Sequence, residues 1–122
     1  ENNLEKNTFL LGFKENPYPF LKEADIFISS SRYEGYPLGL CEALCLEKPI
    51  IATKCTGSLE ILENGKYGLL AEVDSVESIK KNIKKMILNK ELRERYSVLA
   101  KEKIKTFNIN KKIKEIEGKI NE

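Results

Sequence analysis

Histidine is absent from these 122 residues. That removes imidazole as general acid, general base or metal ligand, and with it most zinc sites. Arginine is scarce, with three in the chain at positions 32, 93 and 95, too little for a typical nucleic-acid surface. The two aspartates, Asp25 and Asp74, cannot supply the acidic cluster of a phosphoacceptor receiver domain, nor an Asp-x-Asp metal motif. A Gly-x-Gly-x-x-Gly turn after the first strand is missing, which excludes a dinucleotide-binding half. Apolar runs reach only a few residues, as at Leu69-Leu70-Ala71, so no segment spans a bilayer. No N-terminal signal region is visible, which points to the cytoplasm. What remains is chemistry built from glutamates, backbone amides and lysines.

The length suits one domain with one real core. Hydrophobic residues at 41% and charged residues at 33% describe a globular chain rather than a disordered one. The net charge of +2 hides a division: residues 1–75 carry 7 basic and 12 acidic side chains, residues 76–122 carry 14 and 7. A basic C-terminal segment can touch anionic lipid. The plainer reading is a solvated, lysine-rich helix face. Cys41, Cys45 and Cys55 are odd in number and lack a paired framework spacing, so they read as buried free thiols in a reducing compartment.

Short apolar runs alternate with helical stretches over the first 75 residues. Thr8–Leu11, Ile26–Ile28, Pro49–Ala52 and Gly68–Ala71 read as strands covered on both faces. Helices are expected from Asn16-Pro17 to Leu21 and Lys22, from Leu38 to about Leu46, and from Ser58 to about Leu62, with Asn64-Gly65 as a stop. This alternation predicts an α/β fold with a parallel sheet. Beyond Asp74 the pattern is helical, first to about Leu88 with Ile79, Ile83, Met86 and Ile87 inward, then through Leu92, Tyr96, Leu99 and Ile104. The stripe Ile109, Ile113, Ile116 and Ile120 is expected to dock outside the chain's own sheet. With a strand near residue 8 and no helix before it, the lobe reads as truncated at its N-terminus.

The informative stretch runs from Ser29 to Leu44, between a buried strand and a helix. Ligands of open parallel sheets bind beyond the carboxyl ends of strands. Gly35 and Gly39 permit close backbone approach, Pro37 suits the first helical position, and the first helix amides would face a phosphate unpaired. Glu34 stands in the loop and Glu42 one turn into the helix. Their spacing alone is weak, because about two Glu-x7-Glu pairs arise by chance in such a glutamate-rich chain. Three occur, and only Glu34/Glu42 brackets a glycine-proline turn between strand and helix.

That context resembles the retaining glycosyltransferases of the GT-B fold, family 4, over about residues 8 to 75. The resemblance is carried by Phe9–Phe13, Ala24–Ser31, Glu34–Pro37, Glu42-Ala43, Lys48–Thr53, Gly57, Glu60–Leu62 and Gly68–Leu70 in that order. It implies a Rossmann-like lobe in which residues 1–122 form part of the C-terminal donor-binding domain and residues 76–122 are its helical closing segment. It further implies that Glu34 is catalytic, holding hydroxyls of the transferred sugar, and that the backbone from Gly35 through Tyr36, Pro37 and Leu38 to Gly39 meets sugar and diphosphate. Glu42 would hold the ribose hydroxyls, since a carboxylate accepts two charge-assisted hydrogen bonds. Phe13 and Lys14 would lie near the base. The donor would be a nucleotide diphosphate sugar, with UDP expected, and no metal or other cofactor is implied.

The resemblance implies an acceptor, a glycan or lipid-linked molecule, bound by a domain outside this chain, so the fragment is expected to be inactive alone. Polysaccharide biosynthesis, in the cytoplasm or peripherally at the inner face of the membrane, is the implied setting, without nucleic acid. Thr56-Gly57-Ser58 keeps only one of two glycines common in the family. Plainer alternatives stand beside these roles. Glu42 could be a solvent-facing helix residue, Tyr36 a packing group, and Phe13 and Lys14 ordinary surface loop. The rival function is a non-catalytic interaction module that uses the C-terminal helices for dimer or membrane contact.

Overall fold

Ile50, Ile51, Ala52 and Thr53 follow Pro49 and are β-branched or small, a composition that favours a strand packed on both faces. In the computed structural model, which describes residues 3–106 and 116–120, they form the central strand β2 (Ile50–Thr53), buried at all four positions. β1 (Phe27–Ser29) and β3 (Leu69–Ala71) flank it, both parallel to it. Phe27 stands opposite Ile50, and Ile51 opposite Leu69. Parallel neighbours require crossovers, which here contain α2 (Leu38–Cys45) and α3 (Thr56–Ile61). The expected α/β, Rossmann-like lobe with a parallel sheet and C-terminal helices is therefore present.

Period-two alternation in β2 divides the core. Ile50 and Ala52 join Leu40, Ala43 and Leu44 of α2 with Ile61, Leu62 and Tyr67 on one face. Ile51 meets Met86 of α4 (Val76–Ile87) and Leu92 and Tyr96 of α5 (Lys90–Ile104) on the other. α5 touches both α2 and α4, closing the lobe. Ser75 and Asn89 start these two helices by accepting the amides of Ser78 and Leu92 at 3.1 and 3.0 Å, as capping side chains do. After α3, a 3₁₀ turn at Glu63–Gly65 places Asn64 at φ 57° and Gly65 at φ 105°, a conformation suited to these residues.

Four expectations change. Thr8–Leu11 forms no strand, because no strand among the described residues pairs with it; Phe9 and Leu10 are exposed. Pro17 and Pro37 precede α1 (Tyr18–Glu23) and α2 as N-caps rather than opening them. On α4 Met86 is buried and Ile83 packs half-buried on the same core face as expected, while Ile79 and Ile87, with Ile83 and Ile28 of β1, line an open apolar cleft of about 660 Å³. Ile109 and Ile113 lie outside the described residues. Ile116, however, is buried within the chain, and the Asn16 side-chain amide donates to the Lys119 carbonyl. That part of the stripe packs on its own lobe.

The basic segment is not uniformly solvated either. Lys103 is 8% exposed. Its ammonium donates to Glu63 Oε2 at 2.8 Å and lies 5.5 Å from the Tyr67 ring centre, which compensates a costly burial. The Lys103 hydrogen bond holds the Glu63 carboxyl below its ordinary 4.5.

Two outcomes follow. Ile51→Ala should destabilise the lobe by about 2–5 kcal/mol in chemical denaturation, as expected for a core truncation that leaves a cavity. Because the folded pKa of Glu63 is depressed, its contribution is present above the unfolded value and lost as pH falls through the folded one. Thermal melts of Glu63→Gln should therefore lie below wild type at neutral pH and converge with it in acid.

Candidate functional site

β1 ends at Ser29, and the chain then crosses the carboxyl end of the sheet before α2 begins at Leu38. Pro37 turns the backbone into the helix at φ −79°, ψ 88°. Leu38 donates its amide to the Tyr36 carbonyl at 3.0 Å, while Leu40 and Cys41 donate to Pro37 at 3.1 and 3.2 Å. The expectation of unpaired amides at this helix start is thus corrected for Leu38 and Leu40, because the tight turn bonds them locally. The two glycines also differ. A Cβ on Gly35 would meet nothing within 4 Å, whereas one on Gly39 would stand 3.3 Å from Phe27 Cζ. Gly35 leaves the loop open, and Gly39 lets α2 sit against β1.

Glu34 is half-buried and held from several directions. Its carbonyl accepts the Gly57 amide at 2.9 Å, and its carboxylate accepts the Ser31 hydroxyl at 3.4 Å. Ser31 is itself tied to the sheet, since its carbonyl accepts the Thr53 hydroxyl and, at 2.9 Å, the Cys55 thiol. Around Glu34 lies a cleft of about 300 Å³ lined by Arg32, Tyr33, Gly35, Lys54, Cys55 and Thr56. Arg32 donates to Asp74 and Lys54 to Glu72 at its mouth. These exposed pairs contribute little stability, and the two basic residues line the same cleft as Glu34. Chemically, the arrangement offers a carboxylate for hydroxyl groups and cations for an anion.

Glu42 is half-buried on α2 between buried Cys41 and Ala43. Tyr36 is 61% exposed and lines a smaller neighbouring cleft with Gly57, Glu60 and Lys103. Its phenol is raised above the ordinary 10.0, chiefly by charge and a hydrogen bond at Cys41, then by burial and by Glu60. Pro37 is buried and Leu38 exposed. Phe13 is 89% exposed, and the Lys14 ammonium lies 5.7 Å from the Phe20 ring centre. Among the described residues neither makes a hydrogen bond or ion pair to the Glu34–Glu42 stretch. Cys41 and Cys55 are buried as expected, whereas Cys45 is only half-buried.

Arg32, Thr53, Lys54 and Cys55 belong to the site without having been singled out for it by the sequence. For Thr53 a signal existed: a hydroxyl ending a buried strand must find a partner. Among the described residues no group of three or more Cys, Asp or Glu side chains is placed to hold a metal ion, and no helix is long and apolar enough to cross a membrane.

A family model described as "Glycosyl transferases group 1" matches residues 1–103. The chain is 38% identical, over 97% of its length, to an uncharacterized glycosyltransferase of Methanocaldococcus jannaschii, of which it covers 37%. It is 34% identical, over 88% of its length, to the N-acetylgalactosamine-N,N'-diacetylbacillosaminyl-diphospho-undecaprenol 4-alpha-N-acetylgalactosaminyltransferase of Campylobacter jejuni, covering 30% of it. To the UDP-Gal:alpha-D-GlcNAc-diphosphoundecaprenol alpha-1,3-galactosyltransferase of Escherichia coli it is 28% identical, over 93% of the chain and 30% of the relative. It thus spans about a third of the length of these relatives.

The geometry at Tyr36 predicts a phenol that ionises above 10.0. Tyrosinate absorbance during an alkaline titration, differenced against Tyr36→Phe, checks it. Cys41→Ala should move the midpoint back down.

Proposed function

We propose that this chain, which belongs to the glycosyl transferases group 1 family, is the donor-binding part of an enzyme that transfers a sugar from a nucleotide diphosphate sugar to a glycan or lipid-linked acceptor. Within that family it is a family 4 member using the Glu-x7-Glu pair Glu34 and Glu42, and it retains the anomeric configuration. Residues 1–122 form part of the donor domain, and residues 76–122 close it. The reading is supported above all by one observation: Glu34 is held by a network of hydrogen bonds at the carboxyl end of a parallel sheet, where ligands of such sheets bind.

In this reading Glu34 accepts hydrogen bonds from hydroxyls of the transferred sugar, and Glu42 accepts them from the ribose. Gly35, Tyr36, Pro37, Leu38 and Gly39 form the backbone wall toward sugar and diphosphate. Gly35 suits that place because it leaves the loop open. Arg32 and Lys54 line the cleft together with Glu34, and in this reading they offset charge on a departing diphosphate. No metal takes part. Phe13 and Lys14 remain assigned to the base by family likeness, and the weight of the proposal falls on the two glutamates. A UDP-sugar is the donor, in keeping with the E. coli relative's named UDP-Gal. The acceptor class follows the undecaprenyl-linked substrates in the names of the relatives. In this reading the reaction serves polysaccharide biosynthesis and runs in the cytoplasm or peripherally at the inner face of the membrane.

Calorimetric titration of UDP and UDP-sugars into the enzyme that carries this sequence tests the assignment. Losing a charge-assisted hydrogen bond should weaken UDP binding about 10- to 100-fold in Glu42→Ala. Glu34→Gln should leave UDP binding nearly intact and lower sugar transfer. Unaltered binding and turnover in both variants would favour the interaction-module reading. Product NMR reports the anomeric configuration directly, and inversion would remove the family 4 assignment.

A further inference from the structure

We propose that the β2–α3 connection, from Thr53 to Gly57, is a positioning element that sets where Glu34 stands. The inference rests on the donor-binding reading of Glu34. It is carried by contacts at two points of the Glu34 loop, one from the end of the most deeply buried strand and its following residues and one from the first turn of α3.

The first point is Ser31. Its carbonyl accepts from the Thr53 hydroxyl and the Cys55 thiol together, which uses both lone pairs of that oxygen. Thr53 is 2% exposed and Cys55 5%, so neither donor has ready access to water as a substitute partner. Ser31 then passes the constraint on, because its hydroxyl donates to Glu34 Oε2.

The second point is Gly57, which donates its amide to the Glu34 carbonyl at 2.9 Å. A Cβ there would stand 2.5 Å from that same oxygen, 2.7 Å from Pro37 Cδ and 2.9 Å from the Gly35 carbonyl. These neighbours are backbone atoms and a proline ring, which cannot swing aside. Reaching an ordinary 3.4 Å separation from the Glu34 oxygen requires a shift of about 0.9 Å. Displacements of about 1 Å in positioning groups can lower a reaction rate on the order of 100-fold. Gly57 and Thr53 touch no substrate in this scheme and act through Glu34.

Steady-state kinetics on the enzyme that carries this sequence test the inference, with UDP binding as a parallel readout. Gly57→Ala should lower kcat on the order of 100-fold while leaving the UDP dissociation constant nearly unchanged. Thr53→Val, which removes the hydroxyl at nearly constant volume, should lower kcat about tenfold, and Thr53→Ser should restore it. Both losses should largely disappear in a Glu34→Gln background, because residues acting through one group are not additive with its removal. Full additivity, or wild-type kcat in folded Gly57→Ala and Thr53→Val, overturns the proposal. Should Gly57→Ala fail to fold, the Thr53 pair decides.

Amide hydrogen exchange separates this inference from the donor-binding reading. Exchange across residues 31–37 should quicken in Thr53→Val and not in Thr53→Ser, with no donor present. Unchanged exchange removes the clamp itself. Quickened exchange in an enzyme that neither binds nor transfers a sugar nucleotide removes the donor reading instead.

Discussion

The burial of β2 on both faces is the constraint on which the other parts depend. Ile50 and Ala52 pack toward α2 and α3 while Ile51 packs toward α4 and α5, so the strand is covered from both sides. A segment so buried opens only with the lobe as a whole. Its last residue, Thr53, cannot leave its hydroxyl unpaired in that setting, and the available acceptor is the carbonyl of Ser31. The loop that carries Glu34 is therefore suspended from the most deeply buried part of the sheet. An exposed loop inherits definition from the core through a strand end and the helix turn that follows it.

Charge is distributed by the same logic of burial. Arg32 with Asp74 and Lys54 with Glu72 are exposed pairs, so their energetic weight is small and their meaning is local potential around the cleft. Lys103 with Glu63 differs, because the lysine side chain is only 10% exposed and the Tyr67 ring lies beneath it. There the ion pair serves to make burial tolerable. Among the described residues, the lysine-rich C-terminal segment thus buries Lys103 while others of its lysines face water.

Much of the lobe was legible in the sequence. The apolar run at Ile50–Ala52 and the stop at Asn64-Gly65 each act within a few residues, and each appears where expected. Thr8–Leu11 failed as a strand because a strand needs a neighbour, and apolar composition does not supply one. The inward set on α4 was overdrawn for a related reason. Periodicity identifies a face, but whether Ile79 and Ile87 are covered depends on what stands opposite. Gly39 permits a close approach, and what local sequence does not show is that Phe27 Cζ stands 3.3 Å from where a Cβ would be.

The order of strand, loop and helix around Glu34 and Glu42 was determined by the sequence itself, since turn residues and hydrophobic period operate on near neighbours. Which distant residues grip the loop was decided only by the tertiary structure. Thr53 and Cys55 lie 22 and 24 positions from Ser31, and parallel pairing of β1 with β2 brings them together. Gly57 carries a close approach to Glu34 that no local pattern around either residue contains. The physical reason is that sheet register is a non-local agreement between two strands. The chemistry of the candidate site was therefore written in one short stretch, and its geometry in the contact of that stretch with another.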